Sequence, residues 1–285
     1  MNISLLVGLM MLAVKWIAYA ITGSVAIFSD AAESVVHIVA VGFAWYSLRV
    51  TYRPPDEEHH FGHDKVAYFS AGAEGMLIIV AAGVIIYSGI DRIVSGGRLE
   101  QVDSGSFLTA TAAVVNAVLG WYLVKTGRNN RSFILVANGR HILTDAWTSG
   151  GAIVGLLAAH FTQNTVYDGI AALLFGANII LEGFKLLRRS VNGLMDRSNP
   201  VLLARARKVL DDFCAEKNIS YHRLRLRESG HKVFIDFHVQ FPDGTPIEEA
   251  HALADEAEVL VARAVGIPSD VFSHLESMSV PEDHE

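Results

Sequence analysis

Cysteine is almost missing from this sequence, with one residue, Cys214, in 285. A lone thiol closes no internal disulfide and builds no multi-thiolate zinc site, so any metal bound here must be held by imidazole and carboxylate. Charge is scarce too, at 19% of residues against roughly 25% in ordinary soluble domains, while 51% are apolar and the mean hydropathy is +0.33. Neither half of the chain carries a net basic excess. Residues 199–285 carry nine basic against sixteen acidic side chains, and the rest of the chain balances at fourteen of each. An acidic surface repels phosphate backbones and concentrates divalent cations, which argues against nucleic acid as a partner. These shortages exclude a single globular enzyme, a disordered chain and a disulfide scaffold. Twelve histidines, six in each part, supply what the cysteines do not.

The apolar residues are gathered in six runs, at about 3–22, 25–49, 67–94, 106–125, 134–160 and 166–188. A spanning helix needs roughly 20 mostly apolar residues, so the chain reads as polytopic. Ala18-Tyr19-Ala20 has the small-x-small form of a leader cleavage site. However, no basic residue precedes the first run and Lys15 interrupts it, so that run is expected to be a span. Arg49, Arg53 and Lys65 lie between runs two and three, Lys125, Arg128 and Arg131 between four and five, and Lys185, Arg188 and Arg189 at the exit from six. This asymmetry predicts both termini on the cytoplasmic side, and the membrane is expected to be the cell inner (plasma) membrane. Gly151 and Gly155 in run five form a small-xxx-small pair that lets a neighbouring backbone approach.

After Asp196-Arg197-Ser198-Asn199-Pro200 the pattern becomes that of a soluble module. A helix is predicted over 201–217, strands over 219–227 and 231–241, and a turn at Asp243-Gly244. A helix to about 265 should follow, opened by a capping box at Thr245 and Glu248 with Pro246 at its first position, then a strand over 270–278. The expected fold is thus an α-helical polytopic membrane protein of six transmembrane helices plus a C-terminal α+β, ferredoxin-like (α-β-β-α-β) cytoplasmic domain. Its predicted divisions are a transport domain over 1–195, a linker over 196–200, a metal-binding domain over 201–280 and a tail over 281–285.

An ionisable side chain within a span is costly, which makes each one a functional candidate unless it pairs or snorkels. Run two holds Asp30, Glu33 and His37, and run five holds His141 and Asp145. Glu33 with His37, and His141 with Asp145, are i, i+4 pairs that lie one turn apart on one helix face. Two such helices facing each other bring together two carboxylates and two imidazoles, a donor set suited to tetrahedral zinc. Lys15 and Glu74 are expected to snorkel or to form helix-helix ion pairs. A second cluster, Asp56, His59 and His63 between runs two and three, can chelate a cation through its i, i+3, i+7 spacing, though a solvated polar loop reads equally well. A third is spread over the soluble module: His222, His238, His251, His274 and Glu276. Of these, His274 and Glu276 share a strand face because strand side chains repeat every two residues.

These residues resemble the cation diffusion facilitator family, in particular its bacterial zinc and iron exporters of the YiiP type. The resemblance is carried by Thr-Gly-Ser-Val-Ala-Ile (22–27), the pair in run two, Phe-Gly-His-Asp-Lys (61–65), His141-x-x-x-Asp145 and Leu-Met-Asp-Arg (194–197). It implies a homodimer of six-span protomers in membrane lipid, exchanging a divalent metal for protons. It also implies a transport site at Glu33, His37, His141 and Asp145, a loop site at Asp56, His59 and His63, and a domain site at His222, His238, His251, His274 and Glu276. The resemblance further implies zinc as the substrate and as a bound ion in the domain site. Lys65 and Asp196 match a charge pair that ties span three to span six in the family. Zinc members usually carry Asp or His followed by Asp in span two, and the Glu33, His37 pair departs from that. The ligand count survives, so metal identity rather than transport is put in question. Asp30, a turn before Glu33, can join or replace it. The expected function is a proton-coupled antiporter exporting a divalent transition metal, Zn2+ first, with Fe2+, Co2+, Ni2+ and Cd2+ as rivals. No organic cofactor and no enzymatic role are expected. A membrane metallohydrolase is disfavoured by the lack of His-Glu-x-x-His, and a non-transporting metal sensor by the intact quartet.

Overall fold

A computed structural model describes residues 2–129, 133–230 and 232–279, without the side chains of residues 2–6, 37, 41, 44, 127, 133–138 and 141. Six long helices come first: α1 (Asn2–Thr22), α2 (Val25–Thr51), α3 (Val66–Ser95), α4 (Val102–Asn129), α5 (Phe133–Thr162) and α6 (Val166–Leu194). Then follow α7 (Pro200–Lys217), β1 (Ser220–Ser229), β2 (Lys232–Phe241), α8 (Ile247–Val265) and β3 (Ser269–Ser277). Helices α2 to α6 are each long and apolar enough to cross a membrane, and α1 adds an apolar stretch over Val7–Thr22. The chain divides into two compact units, Met1–Phe43 with Ala73–Leu187, and Ala44–Gly72 with Arg188–Glu285.

In the first unit the helices meet through small residues. Lipid tails are as apolar as leucine, so helices in a bilayer associate by close packing rather than by escape from water. A Cβ on Gly120 of α4 would stand 2.8 Å from the Gly139 carbonyl of α5, and one on Gly139 would stand 2.8 Å from that of Gly120. Helices α3 and α6 repeat the device at seven-residue intervals. Gly75, Ala82 and Gly89 line α3, while Gly169, Gly176 and Gly183 line α6. A Cβ on Gly75 would lie 3.0 Å from the Gly183 carbonyl and 3.0 Å from the Leu187 amide nitrogen, and one on Gly89 would lie 3.1 Å from the Gly169 carbonyl. Gly151, expected to pack, faces the Phe175 ring, and Gly155 faces Ala171.

The same unit is tied by buried charge at the start of α2. Ser24 caps that helix, its Oγ accepting from the Ile27 amide at 3.2 Å. Asp168, fully buried in the first turn of α6, accepts from Ser24 Oγ (2.5 Å) and from the Val25 (2.9 Å) and Ala26 (3.2 Å) amides. Those amides have no partner within their own helix, and the positive end of α2 favours an anion there. Arg92 of α3 stands 3.5 Å from Asp168 and donates to the Gly23 carbonyl.

In the second unit β2 is the middle strand, antiparallel to β1 and parallel to β3. Val233, Ile235, Phe237, Val239 and Phe241 alternate along β2 into one core with Leu202, Ala206, Leu210 and Phe213 of α7 and Ala250, Ala257, Val261 and Val265 of α8. Cys214 lies in that core, and burial, with a smaller push from Asp211, raises its thiol to about 11. Helix α7 begins with Asn199, whose side chain accepts from Val201 and Leu202. The capping box expected at Thr245 is not formed. The Thr245 hydroxyl is spent on the Pro242 carbonyl (2.7 Å), closing the Asp243-Gly244 turn, and α8 starts after Pro246 with no side-chain cap.

The glycine contacts give a test. Gly75→Leu should lower stability by about 1–3 kcal/mol through overpacking against α6. Gly83→Leu on the same helix, where nothing lies within 4 Å, should be near neutral. Thermal unfolding of the two variants in detergent reads the difference.

Candidate metal sites

The sheet register assembles the first cluster. His222 of β1 pairs with His238 of β2, and His238 with His274 of β3, so three imidazoles form a row across the strands. Glu276, two residues beyond His274, shares its face. Its two oxygens take one histidine each: Oε2 lies 2.8 Å from His222 Nε2 and Oε1 lies 2.7 Å from His238 Nδ1. His274 is more exposed, its Nε2 3.8 Å from Glu276 Oε1 and its ring 5.0 Å from that of His238. His222, His238 and Glu276 offer ligand atoms within 4.8 Å of one another. Desolvation works to raise the Glu276 carboxyl, but the His222 and His238 bonds outweigh it and hold it below the usual glutamate range. His251 lies elsewhere: its Nε2 is 3.7 Å from Asp255 on its own helix, and the ring is exposed. A bulge follows His222, where the β1 register shifts before Arg225 and Arg223 takes a left-handed φ of 51°. A bulge twists a strand and re-aims its neighbours, here beside a candidate ligand.

The second cluster is built by an aspartate folding its own loop. Asp56 Oδ1 accepts from the Glu58 amide (3.1 Å) and the His59 amide (2.7 Å), which brings the His59 ring back to 3.1 Å from the same oxygen. The other oxygen, Oδ2, lies 3.4 Å from His63 Nε2. Gly62, at a φ of +83°, turns the chain so that the His59 and His63 rings lie 4.4 Å apart. Desolvation opposes ionisation of Asp56, yet the His59 and Glu58 bonds hold its carboxyl below the usual aspartate range. Its three ligand atoms also fall within 4.8 Å. Near the same loop Lys65 pairs with Asp196 at 2.9 Å, as the family resemblance implies. Arg227 lies over the rings of Phe61 and Phe234.

Among the membrane candidates, Glu33 and Asp145 are half-buried, and the side chains of His37 and His141 lie outside the described residues. What the structure fixes is depth. Ala26 of α2 lies against Gly155 of α5, and Asp30 accepts from Ser149 Oγ at 2.7 Å with Thr148 Oγ1 at 3.5 Å. The two helices therefore run antiparallel, and one further turn along α2 brings Glu33 level with Asp145. Lys15 forms an ion pair with Asp30, at 2.8 Å, and does not snorkel. That pairing engages the carboxylate that could otherwise join the quartet. Asp168 and Arg92 escaped the sequence reading because an acid in the first turn of a helix looks like an ordinary dipole contact.

Glu276→Gln removes the charge from the carboxylate that faces His222 and His238 and should weaken Zn2+ binding at this cluster about tenfold or more. His251→Ala should change it little. Titration calorimetry on the full chain, with Asp56, His59 and His63 replaced by alanine, distinguishes the two outcomes. Because the folded Glu276 carboxyl titrates below its unfolded value near about 4.3, its bonds stabilise fully above that pH and fade as pH falls through the folded value. Glu276→Gln should therefore flatten the acid side of the stability curve in the metal-free protein.

Residues 1–195 match the model of the cation efflux transmembrane domain, and residues 200–278 that of the cation efflux protein cytoplasmic domain. The chain is 36% identical over 267 residues to the uncharacterized transporter sll1263 of Synechocystis sp., covering 93% of this chain and 85% of that protein. It is 29% identical over 277 residues to the cation-efflux pump FieF of Cronobacter sakazakii, covering 96% and 91%. Over 278 residues it is 29% identical to the pump of that name from Serratia proteamaculans, again covering 96% and 91%. Proteins of this kind are transporters and not enzymes. With both domain models matched, the chain belongs to the cation efflux, or cation diffusion facilitator, family of multi-pass membrane transporters.

Proposed function

We propose that this protein is a proton-coupled antiporter that exports a divalent transition metal, Zn2+ first, from the cytoplasm across the inner membrane, as a homodimer with both termini inside. The observation that carries the reading is the antiparallel register of α2 and α5 set by the Asp30 to Ser149 bond. It gives the two carboxylates of the i, i+4 pairs a common depth, and His37 and His141 lie one turn from them in sequence. An imidazole binds metal only when neutral, so each metal that leaves frees His37 or His141 to take a proton. With a reference value near about 6.5, histidine exchanges that proton at physiological pH. Fe2+, Co2+, Ni2+ and Cd2+ are the rival cargoes, since all accept nitrogen and oxygen ligands. In the cytoplasmic domain His222, His238 and Glu276, with His274 beside them, would hold a resident Zn2+. Asp56, His59 and His63 would hold another in the loop.

Inside-out vesicles should take up Zn2+ saturably under a pH gradient, and Asp145→Ala should abolish uptake while leaving a folded dimer. Near-normal flux in that variant would sink the four-ligand assignment, and no flux in the wild type would favour a metal sensor. His37→Asp restores the family's usual carboxylate. It should shift the pH midpoint of metal binding downward and improve Mn2+ relative to Zn2+, because one fewer imidazole must lose its proton and one more hard oxygen is present. A pH series of metal titrations with the loop and domain sites disabled reads both changes.

A further inference from the structure

Lys15 of α1 is 1% exposed, and its ammonium donates to Asp30 at 2.8 Å and to Ser34 Oγ at 3.0 Å. Asp30, 2% exposed, also accepts from Ser149. Buried ion pairs of this kind can often be replaced by apolar residues of similar volume with no loss of stability, so stability alone gives no reason for two charges at this depth. Their position does. Asp30 is one turn from Glu33 on α2, and Ser149 is one turn from Asp145 on α5.

We propose that Lys15 is a tethered counter-cation that keeps Asp30 out of the ligand set and so fixes how reversibly the membrane site holds its dication. The inference rests on the reading that Glu33, His37, His141 and Asp145 carry the metal. With both imidazoles neutral, those four residues bring two negative charges, which a dication cancels. Asp30 is a third carboxylate within one turn, and Lys15 cancels it, leaving the loaded site neutral in a medium that penalises net charge. Without Lys15, the released carboxylate draws the metal more strongly and delays its exit. A carrier, like a channel, must bind weakly enough to let go. Without Asp30, an unpaired ammonium stands one turn from the site and repels the metal. The two single substitutions therefore act in opposite directions, which a packing defect would not do.

The experiment is Zn2+ flux into proteoliposomes containing the full chain under a fixed pH gradient, comparing wild type, Lys15→Met, Asp30→Asn, the double variant and Asp145→Ala. Lys15→Met should lower KM for Zn2+ about tenfold and lower turnover by a similar factor, Asp30→Asn should raise KM about tenfold, and the double variant should return within about threefold of wild type. KM unmoved in both single variants, moved the same way in both, or not restored in the double variant overturns the proposal. If Lys15→Met does not fold, Asp30→Asn and the double variant, which leaves no charge unpaired, decide it by the same signs. Flux lost in Asp145→Ala with KM unmoved by the Lys15 and Asp30 changes removes this inference alone. Zn2+ flux that survives Asp145→Ala, or is missing from the wild type, removes the transport reading and this inference with it.

Discussion

A charge placed among apolar helices persists only where an opposite charge and hydrogen bonds meet it, and in the membrane unit that requirement is met at Lys15 and Asp30. Lys15 reaches from α1, Asp30 sits on α2, and Ser149 reaches from α5. Three helices are thus fixed at one level by one carboxylate. Sliding α2 against α1 by a single turn would strand a buried ion, an error that costs several kcal/mol when one partner of such a pair is lost, and sliding it against α5 would break the Asp30 to Ser149 bond. The common level of Glu33 and Asp145 is therefore set by a contact one turn away. Asp168 applies the same logic at the head of α2, with the backbone amides of that helix, Ser24 and Arg92 as its partners.

Between these polar ties the membrane helices are held by shape. Glycine carbonyls approach the Cα atoms of the facing helix at Gly75 with Gly183, at Gly89 with Gly169 and at Gly120 with Gly139. The seven-residue spacing keeps such contacts on one seam, because a strict heptad follows a slightly supercoiled pair of helices. The cytoplasmic part is held by the opposite means. There the alternating apolar residues of β2 leave water for a core shared with α7 and α8. Each half uses the driving force that its solvent provides.

The spans, the α-β-β-α-β order and the strand boundaries were legible in the sequence because each rests on periodicity, which is local. The row of His222, His238 and His274 was half legible. Periodicity placed each residue on a strand, and His274 with Glu276 on one face, but only strand register made the three histidines neighbours, and register depends on a bulge after His222 that no residue type announces. Thr245 was misread for a related reason. Its sequence fits a capping box, yet the turn before it competes for the same hydroxyl and wins with a 2.7 Å bond to Pro242. The partners of Lys15 and Asp168 could not be read at all, since both pairings join helices distant in sequence.

The two described clusters share one construction: a carboxylate between two imidazoles, Glu276 between His222 and His238, and Asp56 between His59 and His63. Both carboxyls are held below their ordinary range, so they are ionised at neutral pH. A hydrogen bond between imidazole and carboxylate needs a proton on the ring nitrogen, whereas a metal needs that nitrogen bare. A metal entering either cluster would have to displace protons from the same nitrogens that hydrogen-bond the carboxylate. A metal site built in this way would be pre-assembled by the competitor of its ligand, its geometry would cost little to form, and its affinity would fall as protons become plentiful.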